Sequence, residues 1–301
     1  MYTKFLEQIK DFMDETDIKV NEPMKYHTSF RVGGPAKIFL EISSEEILKK
    51  VFALLKEKNL PYFVLGNGSN LLVSDEGYEG VIIYLGKEFS EIKAEENKIT
   101  AGASALLGKV ARICLKHGLT GLEFAAGIPG SLGGGVVMNA GAYGGELSQV
   151  VTGVRAMNPL GEILVLSKEE LQMGYRTSIF KKEPYVILEV TMQLQSGNKE
   201  EIEAKMEEYT KARKEKQPLE YPSAGSTFKR PEGYFAGKLI MDAGLRGYRI
   251  GDAQVSEKHC GFIINKGNAT ATEIKSLMQE VSQIVNEKFN VELEPEVILL
   301  G

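Results

Sequence analysis

A glycine-rich segment with few polar side chains is the part of this sequence best suited to bind a charged ligand. Residues 127–145 contain eight glycines, together with Ser131 and Asn139. Glycine permits positive φ angles and lets a ligand approach the main chain closely, and successive N–H groups beside a helix N-terminus can bind an anion. We therefore interpret this segment as a wall for a large, flat, phosphate-bearing ligand. A flexible linker is the alternative, but linkers favour Gly and Ser, and this segment also carries Ile, Leu, Val, Met and Tyr.

A second candidate is the run Gly-Asn-Gly-Ser-Asn at residues 66–70, which follows the apolar residues 61–65. A strand that leads into such a turn resembles the start of a dinucleotide-binding fingerprint. It is not the Rossmann form, because the third glycine is missing and strand-like sequence follows. The run predicts either a phosphate-binding turn, with Ser69 and Asn70 as additional donors, or an ordinary hairpin turn.

A polar loop near the N-terminus is a third candidate. Thr28, Ser29 and Arg31 come just before Gly33 and Gly34. Hydroxyl and guanidinium groups are suited to contact a phosphate or a ribose. The same pattern is typical of a surface turn, so both interpretations stay open on these residues alone.

Length and charge limit the possible classes of function. The chain has 301 residues, with 36 Lys and Arg against 41 Asp and Glu, which gives a net charge of −5. At ~100–200 residues per domain, two or three domains are expected. The acidic balance argues against a general affinity for nucleic acid or for anionic membranes, although a local basic pocket is compatible with it.

The cysteines and the N-terminus are typical of a protein in a reducing compartment, and the histidines do not indicate a metal site. Cys114 and Cys260 have neither disulfide nor metal-site spacing, and the three histidines are scattered, so no zinc site is expected. The N-terminus lacks the apolar run of a signal peptide. No apolar segment approaches the ~20 residues that a membrane span needs. We expect a cytoplasmic protein.

Hydrophobic periodicity predicts an α+β protein. The predicted helices are residues 3–14, 43–58, 104–117, 199–216, 235–243 and 270–289, and the middle of residues 127–145 is a candidate start of a short helix. The predicted strands are residues 36–42, 61–65, 71–73, 81–85, 185–195 and 261–264, two short strands within 92–100, and a hairpin over 151–165. Residues 21–35 look like a loop. The charged helix and the prolines after it place a domain boundary near 197–222.

Six motifs then occur together in one order along the chain. They are Arg-Val-Gly-Gly at 31–34, the run at 66–70, the glycine-rich segment beginning Gly-Ile-Pro-Gly-Ser at 127, Tyr-Arg-Thr-Ser-Ile-Phe-Lys at 175–181, Gly-Ser-Thr-Phe-Lys at 225–229, and Leu-Glu-Pro-Glu-Val at 293–297. This set resembles the bacterial UDP-N-acetylenolpyruvoylglucosamine reductase family, whose members are FAD enzymes that make UDP-N-acetylmuramate for peptidoglycan. The resemblance extends from about residue 20 to residue 301.

The resemblance implies a fold and a division into domains. The fold is a vanillyl-alcohol-oxidase-type (PCMH-type) FAD-binding region of two α+β subdomains, followed by an α+β substrate-binding domain. The implied domains are an N-terminal helix (1–20), FAD-binding subdomains at 21–85 and 86–197, and a substrate-binding domain at 198–301. Residues from about 291 to 301 would return to the active site. The chain looks like the shorter type of the family, which lacks an added substrate-covering segment.

The resemblance also implies a reaction and three catalytic residues. NADPH gives a hydride to FAD, and flavin N5 gives it to the vinyl carbon of an enolpyruvyl ether. Ser226 matches the proton donor to the α-carbon, and Arg176 and Glu296 match the two residues beside the reacting carboxylate. An arginine can neutralise the negative charge that develops there. Glu296 would fit as a neutral acid, or as a group that fixes the arginine and the proton relay.

The remaining expected contacts belong to the cofactor and to the UDP-sugar. The expected FAD-binding residues are Arg31, Gly33, Gly66, Asn67, Gly68, Ser69, Asn70, Gly127, Pro129, Gly130, Ser131, Gly134, Asn139, Gly141 and Ala142. The expected substrate-binding residues are Arg213, Lys216, Lys229, Arg246 and His259, and Lys229 is also a candidate to stabilise a Ser226 alkoxide. We expect a monomer or a weak homo-oligomer whose partners are NADPH and the UDP-sugar.

Two other functions compete with this one. A flavin oxidase or dehydrogenase of the same superfamily would act on another substrate, and such enzymes often attach FAD covalently through His or Cys. His27, His117, Cys114 and Cys260 all lie outside glycine-rich turns, so non-covalent FAD is expected. A non-catalytic nucleotide-binding module is the other alternative, and the joint presence of the three catalytic candidates argues against it.

Overall fold

Separate stretches of sequence combine into two structural units in the computed structural model, which describes residues 2–301. Unit 1 comprises Met1–Val20, Ile38–Asn67 and Gly80–Ala212, and unit 2 comprises Asn21–Lys37, Gly68–Glu79 and Arg213–Gly301. The domains expected from the sequence follow chain order, and their functional assignment stays a prediction. The units group the chain differently, because two short N-terminal stretches belong with the C-terminal part.

The elements follow the chain in a mixed order. The helices are α1 (Tyr2–Ile9), α2 (Glu45–Glu57), α3 (Leu107–Lys116), α4 (Leu132–Val137), α5 (Lys199–Lys216), α6 (Ala236–Asp242) and α7 (Ala271–Phe289). The strands are β1 (Ile18–Pro23), β2 (Pro35–Ile42), β3 (Tyr62–Leu65), β4 (Leu71–Val73), β5 (Tyr78–Leu85), β6 (Ile92–Glu95), β7 (Lys98–Gly102), β8 (Leu119–Thr120), β9 (Gly141–Ala142), β10 (Gly145–Glu146), β11 (Val151–Met157), β12 (Ile163–Ser167), β13 (Val186–Gln193), β14 (Gln195–Ser196), β15 (Arg249–Ile250), β16 (Ala253–Val255), β17 (Ile263–Asn265) and β18 (Ile298–Leu300).

Most of a four-stranded sheet, with the order β1-β2-β5-β3, lies in unit 1. Strands β3 and β5 are parallel, and α2 connects β2 to β3. Ser44 caps α2 by accepting a hydrogen bond from the N–H of Ile47, as its position before an apolar periodic run predicts. Because β3 ends at Leu65, the turn at residues 66–70 begins at the carboxyl end of a parallel strand, where ligands of α/β sheets commonly bind.

The second sheet of unit 1 is antiparallel, with the order β12-β11-β13-β7-β6. The hairpin predicted over 151–165 is confirmed as β11 and β12, with Val154 opposite Leu166. Helix α4, which lies inside the glycine-rich segment, packs against β7 and β13. The apolar faces of the sheets and helices form one buried core in this unit, which includes Phe5, Phe52 and Val190.

Unit 2 is built around its longest helix, α7, as the sequence predicts. Thr270 accepts a hydrogen bond from the N–H of Glu273, and the Glu273 side chain accepts one from the N–H of Thr270, which forms a capping box. Ile274, Leu277 and Val281 lie on the buried face of α7. This helix packs against α6 and against the small β15-β16-β17 sheet. In the same unit, β18 pairs in parallel with β4.

Two expectations about the N-terminal part are wrong. Residues 21–23, expected as the start of a loop, belong to the edge strand β1, whose alternation is interrupted by Asn21 at φ 52°. The helix expected over 3–14 ends at Ile9, because a new 3-10 turn is capped by Asp14, whose side chain accepts from the N–H of Thr16. Within residues 2–301, no helix has the length and apolar character that a bilayer crossing requires.

Candidate active site

The two glycine-containing segments meet in unit 1. A Cβ on Gly66 would lie 2.7 Å from Oγ of Ser131, so a larger residue does not fit there without movement. Asn67 donates from Nδ2 to the carbonyl oxygen of Pro129 at 2.8 Å. The start of the 66–70 turn is therefore fixed against the start of the glycine-rich segment.

The rest of this turn packs against the N-terminal polar loop in unit 2. Gly68 has φ 60°, and a Cβ there would lie 1.9 Å from the carbonyl oxygen of His27. Ser29 donates from its N–H to the Gly68 carbonyl at 3.0 Å. Only glycine satisfies both the positive φ and the close backbone approach at this position. The loop that contains Arg31 is thus positioned beside the turn, although sequence spacing alone left both segments ambiguous.

The turn at residues 66–70 contains consecutive main-chain N–H groups that are not used as donors within the described part of the chain. Within the described residues of unit 2, the N–H groups of Gly68, Ser69 and Asn70 donate no hydrogen bond. In the described part of unit 1, the N–H groups of Gly130 and Ser131 also donate none, although both residues are buried. Backbone N–H groups normally find an acceptor, and successive N–H groups form anion-binding concavities. The donors at residues 68–70, in a turn that glycine allows to be approached closely, fit the pyrophosphate of a dinucleotide such as FAD.

The N-terminus of α4 was expected to add N–H donors for an anion, and the structure corrects this expectation. The N–H of Leu132 donates to Ala105 at 2.7 Å, and that of Gly133 donates to Ala103 at 2.8 Å. Ser131 caps the helix by accepting from the N–H of Gly134. The first donors of α4 are thus used within unit 1, because the helix packs its N-terminus directly against the chain after β7.

Several glycines of residues 127–145 serve packing. A Cβ on Gly133 would lie 2.9 Å from Cβ of Ala103, and one on Gly145 would lie 2.4 Å from the ring of Phe124. Gly134, in contrast, is exposed. The segment is therefore partly a close-packed support and partly an accessible surface, whereas the composition alone suggested a ligand wall throughout.

Asn139 supports the second half of the glycine-rich segment from inside. Its side chain is fully buried, donates from Nδ2 to the carbonyl of Gly174 at 3.0 Å and accepts from the N–H of Ser148 at 2.9 Å. These bonds connect the β9–β10 hairpin to the turn that carries Arg176. Since both ends of the amide are engaged within unit 1, its predicted part in cofactor binding would act through the loop that it positions.

Arg176 lies against the glycine-rich segment. Its guanidinium donates to the carbonyl oxygens of Asn139 at 3.4 Å and Gly141 at 3.1 Å. The residue has φ 53°, in a tight turn closed by hydrogen bonds between Gly174 and Thr177. A non-glycine residue in the left-handed region is uncommon, and such residues cluster at functional sites. The candidate catalytic arginine is therefore held in a defined, partly buried position.

A tyrosine stack, which the sequence did not reveal, holds the tip of the β9–β10 hairpin. The rings of Tyr143 and Tyr209 are 4.5 Å apart between centroids and inclined by 4°. Tyr143 has φ 54°, and an aromatic pair contributes about 0.5–1.5 kcal/mol beyond its buried area, which can offset the backbone strain. The only sequence signal was a large aromatic residue among glycines, and its partner is on α5.

Ser226 and Glu296 come together in unit 2. Glu296 donates from its N–H to the carbonyl of Thr227 at 2.8 Å, and Lys229 donates from its N–H to the carbonyl of Glu294 at 2.8 Å. The two segments thus run antiparallel, with Phe228 opposite Pro295, and residue 296 lies opposite Thr227, the residue after Ser226. Ser226 is exposed, and Glu296 is partly buried.

Gly225 and Thr227 position Ser226 from either side. Gly225 has φ 77° with open space around the place of a Cβ, so its backbone conformation, and not crowding, favours glycine there. The buried hydroxyl of Thr227 accepts a hydrogen bond from the N–H of Ile263 at 3.0 Å. This bond anchors the loop to β17.

Lys229 forms an ion pair with Glu294 on the neighbouring segment. Its predicted role as the group that stabilises a Ser226 alkoxide would compete with this carboxylate. The ion pair instead connects the loop of Ser226 to the chain just before Glu296.

Asn70 joins the 66–70 turn to the same segment. It donates from Nδ2 to the carbonyl oxygen of Glu296 at 3.0 Å, and its own carbonyl accepts from the N–H of Ile298 at 3.0 Å. The second bond continues the β4–β18 pairing by one residue. The structure therefore brings Asn70, Ser226 and Glu296 into one region of unit 2, whereas Arg176 belongs to unit 1.

His259 belongs to the loop at residues 256–261, and Arg246 and the end of α5 are hydrogen-bonded to this loop. Lys258 donates from Nζ to the carbonyl of Lys214 at 2.8 Å, which ties the end of α5, with Arg213 and Lys216, to this loop. Arg246 donates to the carbonyl of Glu257. Burial lowers the pKa of His259, whose Nδ1 accepts from the N–H of Gly261 at 3.1 Å, so its neutral form is favoured at physiological pH.

Neither cysteine is a reactive thiol in this fold. Burial raises the pKa of Cys114 to about 12, and it also raises the pKa of Cys260. Both side chains are buried. Since the thiolate is the reactive form, covalent attachment of a flavin through either residue is disfavoured.

Comparison with known proteins decides the family. A model of the FAD binding domain matches residues 36–167, and a model of the UDP-N-acetylenolpyruvoylglucosamine reductase C-terminal domain matches residues 217–300. The chain is 54% identical to the UDP-N-acetylenolpyruvoylglucosamine reductase of Clostridium novyi, over 98% of this chain and 95% of that protein. It belongs to the UDP-N-acetylenolpyruvoylglucosamine reductase family. The reductase of Caldanaerobacter subterraneus is 50% identical over 98% of both chains.

Solved structures agree with this family and with the predicted fold class. The crystal structure of the reductase from Thermus caldophilus matches with a TM-score of 0.81 and 37% identity, covering 94% of this chain and 98% of that one. The 4-ethylphenol oxidase of Gulosibacter chungangensis matches with a TM-score of 0.51 and 15% identity, over 64% of this chain and 42% of that one, which shows the fold alone. The chain is an FAD-containing oxidoreductase of peptidoglycan synthesis, and its family uses NADPH as hydride donor.

Proposed function

We propose that this protein reduces the enolpyruvyl group of UDP-N-acetylglucosamine-enolpyruvate to give UDP-N-acetylmuramate, with NADPH as reductant and non-covalent FAD as cofactor. One observation carries the proposal, namely the likeness over nearly the whole chain to proteins named for this reductase. The candidate catalytic residues lie on elements that fix them by main-chain hydrogen bonds, which is consistent with this chemistry.

The main chain of the 66–70 turn would hold the pyrophosphate of FAD. Gly68, Ser69 and Asn70 would contribute N–H donors, and Gly66 would allow close approach. The chemistry that FAD supplies when bound is hydride transfer from NADPH to the vinyl carbon of the substrate. The protein contributes position, charge and a proton.

Arg176 would bind the carboxylate next to the reacting double bond. Hydride addition leaves negative charge on the α-carbon, delocalised into that carboxylate. A planar guanidinium can donate two parallel hydrogen bonds to it. Because Arg176 is already oriented by the carbonyls of Asn139 and Gly141, little reorganisation would be needed as the charge develops.

Ser226 would deliver the proton to the α-carbon. A serine hydroxyl is a weak acid, but a basic carbanion can take its proton when the geometry is held. Glu296, whose N–H is bonded to the carbonyl of Thr227 next to Ser226, would act either as a neutral acid in the proton relay or as a group that orients it. The new C–H bond forms as the O–H bond of Ser226 breaks, and solvent or the relay then returns a proton to the serine.

The cationic residues of unit 2 would bind the diphosphate of the UDP-sugar. Arg213, Lys216 and Arg246 provide positive charge in a chain whose net charge is −5. His259, favoured as neutral by burial, would contribute a hydrogen bond.

The test is an anaerobic titration followed by absorbance. The purified protein should be yellow, should be bleached by NADPH, and should recover its colour when UDP-N-acetylglucosamine-enolpyruvate is added. Recovery with oxygen but not with this substrate would contradict the reductase and favour an oxidase. A colourless protein that neither binds FAD nor oxidises NADPH would contradict every flavoenzyme interpretation.

A further inference from the structure

Both main-chain polar groups of Glu296 are held by hydrogen bonds within unit 2. Its N–H donates to the carbonyl of Thr227 at 2.8 Å, and its carbonyl accepts from Nδ2 of Asn70 at 3.0 Å. The first bond sets residue 296 against the loop of Ser226. The second bond comes from a side chain 226 residues away in sequence. Asn70 is therefore the side chain that fixes one face of the Glu296 peptide.

Asn67, in the same turn, makes a bond of the same chemical type to a different partner. Its amide donates to the carbonyl of Pro129 at 2.8 Å, in the glycine-rich segment of unit 1. The turn thus uses two asparagines for two connections. One side chain reaches the surface expected to hold the cofactor, and the other reaches the segment expected to deliver the proton.

We propose that Asn70 is a positioning residue for proton delivery, which holds the Glu296 peptide in register with the Ser226 loop. This inference rests on the proposed function. The side chain of Asn70 was expected to bind FAD, but its donor group faces the Glu296 carbonyl, so its effect on the reaction passes through Glu296. The main-chain N–H of Asn70 remains a donor for the cofactor.

The hydrogen bonds that remain without the Asn70 side chain indicate which half-reaction depends on it. Without the amide donor, the Glu296 carbonyl loses one partner while the β4–β18 ladder and the Glu296–Thr227 bond remain. The segment then gains freedom at the residue that acts in protonation. Flavin reduction by NADPH needs no proton from Ser226 or Glu296, so it is insensitive to this change.

The experiment compares Asn70→Ala with Asn67→Ala as a matched control. For each reconstituted holoenzyme, anaerobic stopped-flow absorbance gives the rate of flavin reduction by NADPH and the rate of reoxidation by UDP-N-acetylglucosamine-enolpyruvate. Fluorescence titration of the apoprotein gives the FAD dissociation constant. At saturating FAD, loss of one hydrogen bond to the peptide predicts roughly tenfold slower reoxidation in Asn70→Ala, and the ratio of the reoxidation rate to the reduction rate should fall by about the same factor.

The control should behave differently. Asn67→Ala should weaken FAD binding and leave the ratio of the two half-reaction rates as in the wild type. Asn70→Asp, which keeps the shape but lacks the N–H donor at neutral pH, provides a second variant if the alanine variant unfolds. At saturating FAD it should show the same selective slowing of reoxidation.

Two results would overturn the inference while leaving the proposed function intact. The first is an active wild type with unchanged reoxidation in both Asn70 variants. The second is an equal slowing of both half-reactions, or a loss explained by FAD affinity alone. A wild-type protein that cannot be reoxidised by this substrate would overturn the proposed function, and the positioning role would fall with it.

Discussion

One residue of unit 2 and three residues of unit 1 adopt left-handed backbone conformations although none is glycine. Arg31, Asn139, Tyr143 and Arg176 have φ between 43° and 57°. Such conformations cost free energy and persist only where surrounding contacts enforce them. For Asn139 and Arg176 the structure shows these contacts, since both side chains bind main-chain carbonyls of unit 1. The strain therefore coincides with residues expected to act on the ligands.

The planar guanidinium of Arg176, with its several donors, predicts the result of a conservative substitution. Arg176→Lys keeps the charge but cannot donate to the two carbonyls and to a carboxylate in the same geometry. We expect kcat/KM for the enolpyruvyl substrate to fall by about 100-fold, the effect of losing one preorganised donor. FAD content should be unchanged. Steady-state kinetics and the absorbance of the purified protein provide the measurement.

Arg155→Lys is the matched control for this substitution. Arg155 is also a partly buried arginine of unit 1, but it binds both carboxylate oxygens of Glu45, at 2.5 and 2.6 Å. We expect this variant to lose thermal stability and to keep its kcat/KM. Equal kinetic losses in the two lysine variants would show that Arg176 acts only through general stability.

At the residue scale, the sequence revealed side-chain types but not their partners. Ser226, Arg176 and Glu296 stand out because they lie in recognisable motifs. The bond from Asn70 to Glu296 and the stack of Tyr143 on Tyr209 join residues far apart in the chain, and no local spacing signals them. For the same reason, Lys229 looked available as an alkoxide partner until its ion pair with Glu294 was seen.

At the element scale, strong hydrophobic periodicity was sufficient to predict a helix or a strand, whereas weak periodicity was not. The apolar face and the capping box of α7 are readable from the sequence, and the helix spans Ala271–Phe289 as expected. Strand β1 escaped notice because Asn21 breaks its alternation and it lies at the sheet edge. The glycines around α4 were ambiguous, since close packing and ligand access require the same residue type.

Helix α7 also depends on a carboxylate from elsewhere in unit 2. Asp75 accepts hydrogen bonds from the N–H groups of Ala271 and Thr272 and from the Thr272 hydroxyl. Burial alone would raise the pKa of Asp75, but these hydrogen bonds outweigh it and lower the pKa below its ordinary value. Asp75 therefore stabilises the first turn of α7 as an anion.

The pH dependence of this contribution has a definite sign. Because the folded pKa is depressed, the contribution is complete above the unfolded pKa of about 3.9 and is lost as the pH falls through the lower folded pKa. Asp75→Asn keeps an oxygen acceptor but loses the negative charge, so it should cost about 0.3–1 kcal/mol of unfolding free energy near neutral pH, as for a charge at a helix N-terminus. The gap between variant and wild type should shrink as the pH falls below about 4. Urea unfolding over this pH range measures it.

Asp242→Asn is the control for Asp75→Asn. Asp242 forms an exposed ion pair with Lys238 on α6, and exposed pairs contribute only about 0–1 kcal/mol. A difference between Asp75→Asn and wild type that stays constant down to low pH would mean that the charge of Asp75 does not support α7.

At the scale of the whole molecule, the sequence predicted the fold class but not how the chain is divided. The family resemblance indicated an FAD-binding region and a C-terminal domain, and the matched segments at 36–167 and 217–300 agree with it. The structural units are discontinuous, because residues 21–37 and 68–79 belong with the C-terminal part. Local patterns of polarity do not encode such long-range grouping, so only the three-dimensional structure reveals it.

The consequence for function is a division of roles between the units. Unit 1 carries Arg176 and most of the expected cofactor surface, and unit 2 carries Ser226, Glu296 and the expected UDP-sugar residues. In the proposed reaction Arg176 and Ser226 both act on the enolpyruvyl substrate, so substitutions in either unit should slow reoxidation of the flavin more than its reduction by NADPH.

Separate measurement of the half-reactions in Ser226→Ala tests the central claim most directly. Anaerobic stopped-flow absorbance follows flavin reduction by NADPH and then reoxidation by UDP-N-acetylglucosamine-enolpyruvate. If Ser226 delivers the proton, reduction stays within about twofold of wild type and reoxidation falls by at least about 100-fold, the usual range for loss of a general acid. Reoxidation at the wild-type rate, or an equal slowing of both half-reactions, would contradict the account.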